Sequence, residues 1–393
     1  MSTIASFVTL VALVCLVVVG AARSITAGDE VARRTIRSDS AAPARDGYLD
    51  LLRTAALVRV VLFHVTGWVW LSLLVPAMGL MFGIAGTLIA ASLDRDGPRA
   101  VCRRLRRLLL PFWVFGVITL VVLAVRWRPQ GLSDWAGLLW WILPLRVPPV
   151  GGPSWAWVFH IGLWYIVTYL WLVLLSPVLL RVFRRWPWPS IAVAAALPIG
   201  LHLAGLRAGY FVAAYLSCWL LGYAHHDRVL HRVPWRWYAC LVAGLAVAGG
   251  TWVVTAMVAG VAVDRNHIAG GTTLWSMALV AVLLRVRPRL VGRTPPGAVL
   301  RVVNARAVTI YLWHIPASLG MFVLLAPVLP YTSAASITLR LAGVCLLTAG
   351  AVLLFGWIED VAARRPATLL GARAPGGGRY RHRARHLRAG RRR

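Results

Sequence analysis

Apolar residues in this chain come in blocks rather than at alternate positions. After a first block at 4–22 and a polar stretch, further blocks cover about 52–73, 77–93, 108–125, 159–180, 190–206, 209–224, 237–261, 271–284, 303–326 and 335–358. Most approach the roughly 20 residues that an α-helix needs to cross about 30 Å of hydrocarbon. They predict an all-α, polytopic transmembrane bundle of ten core helices with an extra N-terminal helix. A Trp-rich stretch at 135–145 is too short to span, and 77–93 and 271–284 need tilt or partial burial to do so.

The connections supply the orientation. Arg95, Arg99, Arg103, Arg104, Arg106 and Arg107 separate the second and third core blocks, and further Arg clusters recur at 181–185, 228–236 and 285–293. The connections between them, near 74–76, 207, 262–270 and 327–334, hold almost no charge. By the positive-inside rule, the Arg-rich loops face the cytoplasm of a cell-membrane protein and the first core helix starts there. The expected layout is an anchor at 1–22, a polar linker at 23–44, a membrane domain at 45–360 and a disordered basic cytoplasmic tail at 361–393. The anchor has its nearest charges behind it at Arg23, Arg33 and Arg34, which suits an uncleaved helix; a misassigned start is the alternative.

Composition agrees, with 60% hydrophobic residues and 20 Trp in 393 positions. The net charge of +30 would suggest a nucleic-acid partner, but it resides in inter-helix loops and in a tail with nine Arg after Gly371. It therefore fits orientation and attraction to anionic lipid, with no specific nucleic acid expected. All 42 basic residues are Arg, so residue type says less than position. Cys15, Cys102, Cys218, Cys240 and Cys345 show neither paired spacing nor metal-ligand grouping, and no metal is expected.

Ionisable residues inside apolar helices carry the chemistry, because each is costly in lipid unless paired or hydrated. In LDLLRTAALVRVVLFHVTGW, Arg53 and His64 stand eleven residues apart, which leaves about 20° of angular offset and a rise of roughly 16 Å. An arginine at the mouth and an imidazole near mid-membrane, on one face, suit a phosphate-bearing donor and a general base. Snorkelling of Arg53 and a merely structural His64 are the bland alternative. In VCRRLRRLLLPFW, Arg103 with Arg106 and Arg104 with Arg107 each share a face and could grip a pyrophosphate, although topology alone also explains arginines there. His314, just before Pro316, is a substrate or relay candidate or a carbonyl-capped structural histidine. His160, Trp164 and Tyr165 stand at an outer edge where an aromatic belt is expected.

The chain lacks a Walker A loop, a GxSxG elbow and an HExxH pair, and it has no carboxylate well inside a core helix; Asp50, Glu359 and Asp360 fall at helix ends. Ion-coupled pumps are thereby disfavoured.

The ordered set of segments resembles the acyltransferase 3 family of integral-membrane O- and N-acyltransferases. RDGYLDLLRTAALVRVVLFH is similar to its opening Arg-x10-His motif, RRLRRLLLPFW to its Arg-x-x-Arg element, and MGLMFGIAG to its second-helix glycine motif. LWYIVTYLWLVLLSPVLL and YLWHIP resemble its middle and late signatures. The resemblance implies transfer of an acyl group, often acetyl, from cytoplasmic acyl-CoA to a hydroxyl of a cell-surface carbohydrate or glycolipid. It implies His64 as catalytic base, with Arg53 and the Arg103 to Arg107 cluster holding the donor's phosphates; Tyr165, Trp164 and His314 are the substrate or relay candidates, Tyr165 or His314 to orient His64 and Trp164 to stack on a sugar. Some members use a carboxylate in a later helix, for which the sequence offers no clear counterpart. A carrier or flippase for lipid-linked saccharides, or a scaffold that keeps the fold without catalysis, are the competing readings.

Overall fold

The computed structural model describes residues 46–124, 132–148, 154–206, 209–260, 268, 270–286 and 297–369. The expected anchor at 1–22, the linker at 23–44 and the chain from 370 onward lie outside the described residues, as do the side chains of Trp135 and Trp155.

Asp46 starts the first helix, α1 (Gly47–Thr66), by accepting from the backbone N–H groups of Tyr48 and Leu49. The apolar block at 52–73, expected as one helix, is broken after Thr66. Gly67 takes φ +70 and closes α1 with a bond to the Phe63 carbonyl, and the Thr66 hydroxyl accepts from the Trp68 N–H. Apolarity continues through the turn, so only the glycine marks it. The short α2 (Val69–Leu74) then lies beside α1, where Arg59 Nε donates to the Leu71 carbonyl at 3.2 Å.

The other core helices follow the predicted order: α3 (Ala77–Asp96), α4 (Arg99–Ala124), a short α5 (Leu132–Ile142) and, after a 3-10 turn at Ser154–Phe159, α6 (Leu163–Arg185). Next come α7 (Pro187–Leu203), α8 (Tyr210–His226), the single turn α9 (Val229–Arg232), α10 (Trp235–Val258) and α11 (Gly271–Arg285). The last are α12 (Ala298–Ala305), α13 (Ala307–Leu325), α14 (Ala334–Phe355) and a terminal turn, α15 (Trp357–Ala362). There is no strand among the described residues, and the fold is an all-α polytopic bundle.

Among the described residues, six stretches are long and apolar enough to cross a membrane: Val69–Asp96, Arg99–Ala124, Ala156–Arg185, Trp235–Val258, Ala307–Leu325 and Ala334–Phe355. α7 and α11 are apolar but shorter, and α1 carries Asp50, Arg53 and Arg59. α8 sits at the centre, with Tyr215, Trp219 and Tyr223 fully buried. An apolar helix buried all round is what a bundle core requires.

The glycine segment MGLMFGIAG packs α3 against α8 and α11. A Cβ on Gly86 would strike the Trp219 carbonyl, and one on Gly222 would strike the carbonyl of Gly83; a Cβ on Gly83 would also stand 2.7 Å from Val280 Cγ1. Thr87 adds a hydroxyl bond across this seam to the Gly222 carbonyl at 3.1 Å. Small residues at such a crossing let two backbones approach, which is how helices gain contact in lipid. At the arginine-rich end, Arg184 forks onto both oxygens of Asp94 at 2.8 Å and onto Asp227 at 2.9 Å, tying α6 to α3 and α8.

The folded chain also runs past the expected boundary at 360. Thr368 accepts at its carbonyl from buried Arg306 at 2.6 Å and donates its hydroxyl to Asp360 at 2.8 Å, which ties this residue to the end of the bundle.

Replacing Gly86 by Val forces α3 away from Trp219 and should cost about 1–3 kcal/mol of stability. Gly200, which has open space around the position of a Cβ, should accept Ala without loss. Tryptophan-fluorescence unfolding of the detergent-solubilised protein separates the two.

Candidate active site

α1 places two chemically different groups toward its two ends. Near its start, Arg53 lies within electrostatic reach of Tyr165, Tyr169, Arg107 and Glu359. α4 begins at Arg99, two turns before its apolar block, so the basic run RRLRR is helical and its arginines diverge. Arg104 Nη1 donates to the Tyr169 hydroxyl at 3.1 Å and Nη2 to Ser92 Oγ at 3.4 Å. Arg107 is exposed, and the charges of Arg53, Arg365 and Arg104 all act on it. Arg103 instead turns outward into an ion pair with Asp96, and Arg106 Nε caps the carbonyl of Ala362 at 2.7 Å. Of the two pairs that spacing allows, Arg104 with Arg107 shares the surroundings of Arg53. Arg103 with Arg106 does not stay together.

Four guanidiniums near one another repel unless an anion lies among them. The carboxylate close by is Glu359, which the sequence places at a helix end but which the fold buries to 7% exposure. It accepts from the Thr309 backbone N–H at 2.9 Å and from the Thr309 hydroxyl at 2.7 Å, capping the first turn of α13. Burial raises its pKa above the ordinary carboxylate value, against the opposing pull of Thr309, Arg53 and Arg107. Its neighbour Asp360 ion-pairs with fully buried Arg306 at 2.7 Å.

The opposite end of α1 carries the imidazole. His64 lies in the last turn, not at mid-helix, because the chain turns at Gly67. Its Nδ1 is 2.9 Å from the Val60 carbonyl and 3.1 Å from Nε2 of His314. His314 is fully buried on α13, and its own Nδ1 is 2.6 Å from the Tyr311 carbonyl. A carbonyl only accepts, so both Nδ1 atoms carry the proton. His314 Nε2 is then the acceptor for His64 Nδ1–H, and the lone pair of His64 resides on Nε2. The His64 side chain is exposed.

Aromatic rings bridge the two poles. His314 contacts Tyr311 at 5.5 Å between centroids, Tyr311 contacts Tyr165 at 4.8 Å, and Tyr165 contacts Tyr169 at 6.1 Å, which meets Arg104. Tyr311 is fixed by its hydroxyl bond to the Gly162 carbonyl at 2.9 Å. Tyr165 thus stands in the column but has no direct contact with His64; His314 is the residue that orients it. Trp164 stacks on Phe211 and Tyr215 at 4.5 and 5.7 Å and meets Tyr165 edge-on at 6.5 Å.

A family model described as an acyltransferase domain, that of acyltransferase 3, matches residues 46–356. The chain belongs to this family. No curated protein and no solved structure matches it. The acyltransferase is thus an integral membrane protein whose matched segment contains Arg53, His64, the Arg103 to Arg107 run and His314, and stops just before Glu359. Asp94, His226 and Asp227 offer ligand atoms within 4.8 Å of one another, but Arg184 already pairs with both carboxylates and His226 Nε2 with Asp94.

Sequence reasoning missed Glu359, Asp360 and Arg306. A signal existed: two adjacent acids directly after an apolar block, facing an Arg at the head of the preceding helix.

Asp360 gives a stability prediction. Burial opposes its charge, but the hydrogen bonds from Arg306 and Thr368 outweigh it and hold its pKa below the ordinary carboxylate value. Its contribution is therefore present above the unfolded pKa of about 3.9 and disappears as pH falls through the lower folded value. Asp360→Asn should destabilise the acyltransferase at pH 7 by about 3–5 kcal/mol, as breaking a buried pair does, and flatten the acid limb of its unfolding profile.

Proposed function

We propose that this acyltransferase moves an acyl group, acetyl in the simplest case, from acyl-CoA at the arginine-rich face to a hydroxyl of a carbohydrate or glycolipid at the His64 face. One observation carries the reading: a single helix joins Arg53, set among Arg104 and Arg107, to a histidine whose tautomer is fixed by a second histidine.

Arg53, Arg104, Arg107 and Arg365 would hold the donor's phosphates, a use for which clustered guanidiniums are chemically suited. Arg53 and His64 are separated by a rise of roughly 16 Å, a gap suited to a pantetheine arm lying along the column of Tyr169, Tyr165 and Tyr311. In the reaction, His64 Nε2 takes the proton of the acceptor hydroxyl as its oxygen forms the new bond to the acyl carbon. The carbon–sulfur bond breaks, and the proton passes from His64 to the departing thiolate. His314 is a positioning residue: it keeps the proton on His64 Nδ1 so that Nε2 faces the reaction as a base. Membrane lipid is the solvent of the whole process, and the cell membrane, with the C-terminus in the cytoplasm, is the location that the arginine pattern favours.

Labelled acyl transfer in membranes tests this. His64→Ala should lower kcat at least about 10²-fold, the usual loss for a general base, with donor KM little changed. His314→Leu should also lower kcat without raising KM, and Arg107→Ala should raise donor KM about tenfold. Unchanged transfer by a normally expressed His64→Ala protein would remove His64 from the mechanism. Movement of lipid-linked saccharide across vesicles free of acyl-CoA would favour a carrier instead.

A further inference from the structure

At the end of the bundle away from the arginine cluster, the connection between α13 and α14 walls a cavity of about 490 Å³. Phe322, Leu325, Val328 and Leu329 make its lining largely apolar, and Tyr331, Ser336 and Arg340 are the polar members. The size falls within the usual range for small-molecule sites of about 300–1,000 Å³.

Arg340 is the unexpected member. It lies in the second turn of α14 and is only 3% exposed. Its Nε donates to the Ser336 carbonyl at 3.3 Å, its Nη2 to the Tyr331 carbonyl at 2.6 Å, and its guanidinium sits 3.8 Å from the centroid of the Tyr331 ring. These partners are all neutral. No acidic residue occurs anywhere in 307–358 or in 51–93, which together supply α13, α14 and most of α1 to α3. A buried guanidinium with no counter-ion among the described residues is costly, and three of its five N–H groups make no hydrogen bond there. Nη1 has no hydrogen bond among the described residues, yet it is not sealed from solvent.

The cavity adjoins the imidazole pole. The Tyr331 hydroxyl lies 3.1 Å from where a Cβ on Gly67 would stand, three residues after His64. Val65, Ala317 and Val344 form a small core that joins α1, α13 and α14 behind it.

We propose that this cavity is the acceptor subsite, and that Arg340 binds an acidic group, carboxylate or phosphate, which the acceptor carries near the hydroxyl to be acylated. This rests on the acyltransferase reading for its meaning, but binding is measured without it. A guanidinium fork matches the planar carboxylate and the phosphate oxygens, and the apolar wall with the Tyr331 ring gives a sugar a face to lie on. His64 lies one turn before Gly67, which neighbours the Tyr331 hydroxyl, and is the base that this reading assigns to the acceptor's hydroxyl.

The experiment is calorimetric titration of the full-length protein in phosphatidylcholine nanodiscs with methyl β-glucuronide, methyl glucoside 6-phosphate and neutral methyl β-glucoside. The acidic probes should bind at least about tenfold more tightly than the neutral one, as expected for a charge-assisted contact. Whichever acidic probe binds better identifies the group. If phosphatidylglycerol added to the nanodiscs displaces both acidic probes, the anion is supplied by a lipid headgroup, which still assigns Arg340 its role. Arg340→Gln should abolish the preference, Arg340→Lys should retain part of it, and His64→Ala should leave it intact while removing acyl transfer. Equal binding of acidic and neutral sugars by the wild-type protein, or an undiminished preference in Arg340→Gln, overturns the proposal. Unchanged acyl transfer by His64→Ala with the preference intact would sink the catalytic role of His64 and leave the anion site standing.

Discussion

The hydrogen bond between His314 and His64 is the constraint around which the site is arranged. Two imidazoles 3.1 Å apart satisfy one another only if one donates and the other accepts. The Val60 and Tyr311 carbonyls remove the ambiguity, since each demands a proton on the Nδ1 atom beside it. The consequence is that the lone pair of His64 is on Nε2, as the proposed base role requires. The two backbone carbonyls, with His314 Nε2 as the acceptor, fix the tautomer.

α13 carries this arrangement from one face of the bundle to the other. Its first turn is capped by Glu359, which feels the charges of Arg53 and Arg107. Its middle presents His314, and its far end walls the cavity that holds Arg340. Behind its start, Arg306 is fully buried and bound to Asp360 and Thr368, so the segment after the last long helix is fastened to the same place. Charges in a membrane bundle are retained where they are paired or where a ligand completes them. Arg306 and Asp360 belong to the first group. On the reading proposed above, the cluster around Arg107 and Arg340 belong to the second.

Much of this was legible in the sequence. Block length gave the order of the long apolar helices and the all-α polytopic class. Helical geometry put Arg53 and His64 on one face of α1, and a histidine inside an apolar helix marked His314. What stayed hidden depends on tertiary contact. The turn at Gly67 interrupts a continuous apolar block, so His64 stands in a last turn and not at mid-helix. The choice between overlapping arginine pairs depends on which face of α4 meets Tyr169, a contact 65 residues away in sequence. Glu359 is a helix-end acid by position and a buried cap by packing, and Arg340, one turn into its block, passes for a snorkelling edge charge until its burial is seen.

The central claim is that donor and acceptor are served from opposite faces by one protein, and sidedness tests it most directly. Membrane vesicles of both orientations can be given a labelled, membrane-impermeant acetyl-CoA and their glycans and lipids counted. The account predicts incorporation when the arginine-rich face is outward and none when it is enclosed. Equal incorporation in both orientations, or incorporation only when that face is enclosed, would contradict it.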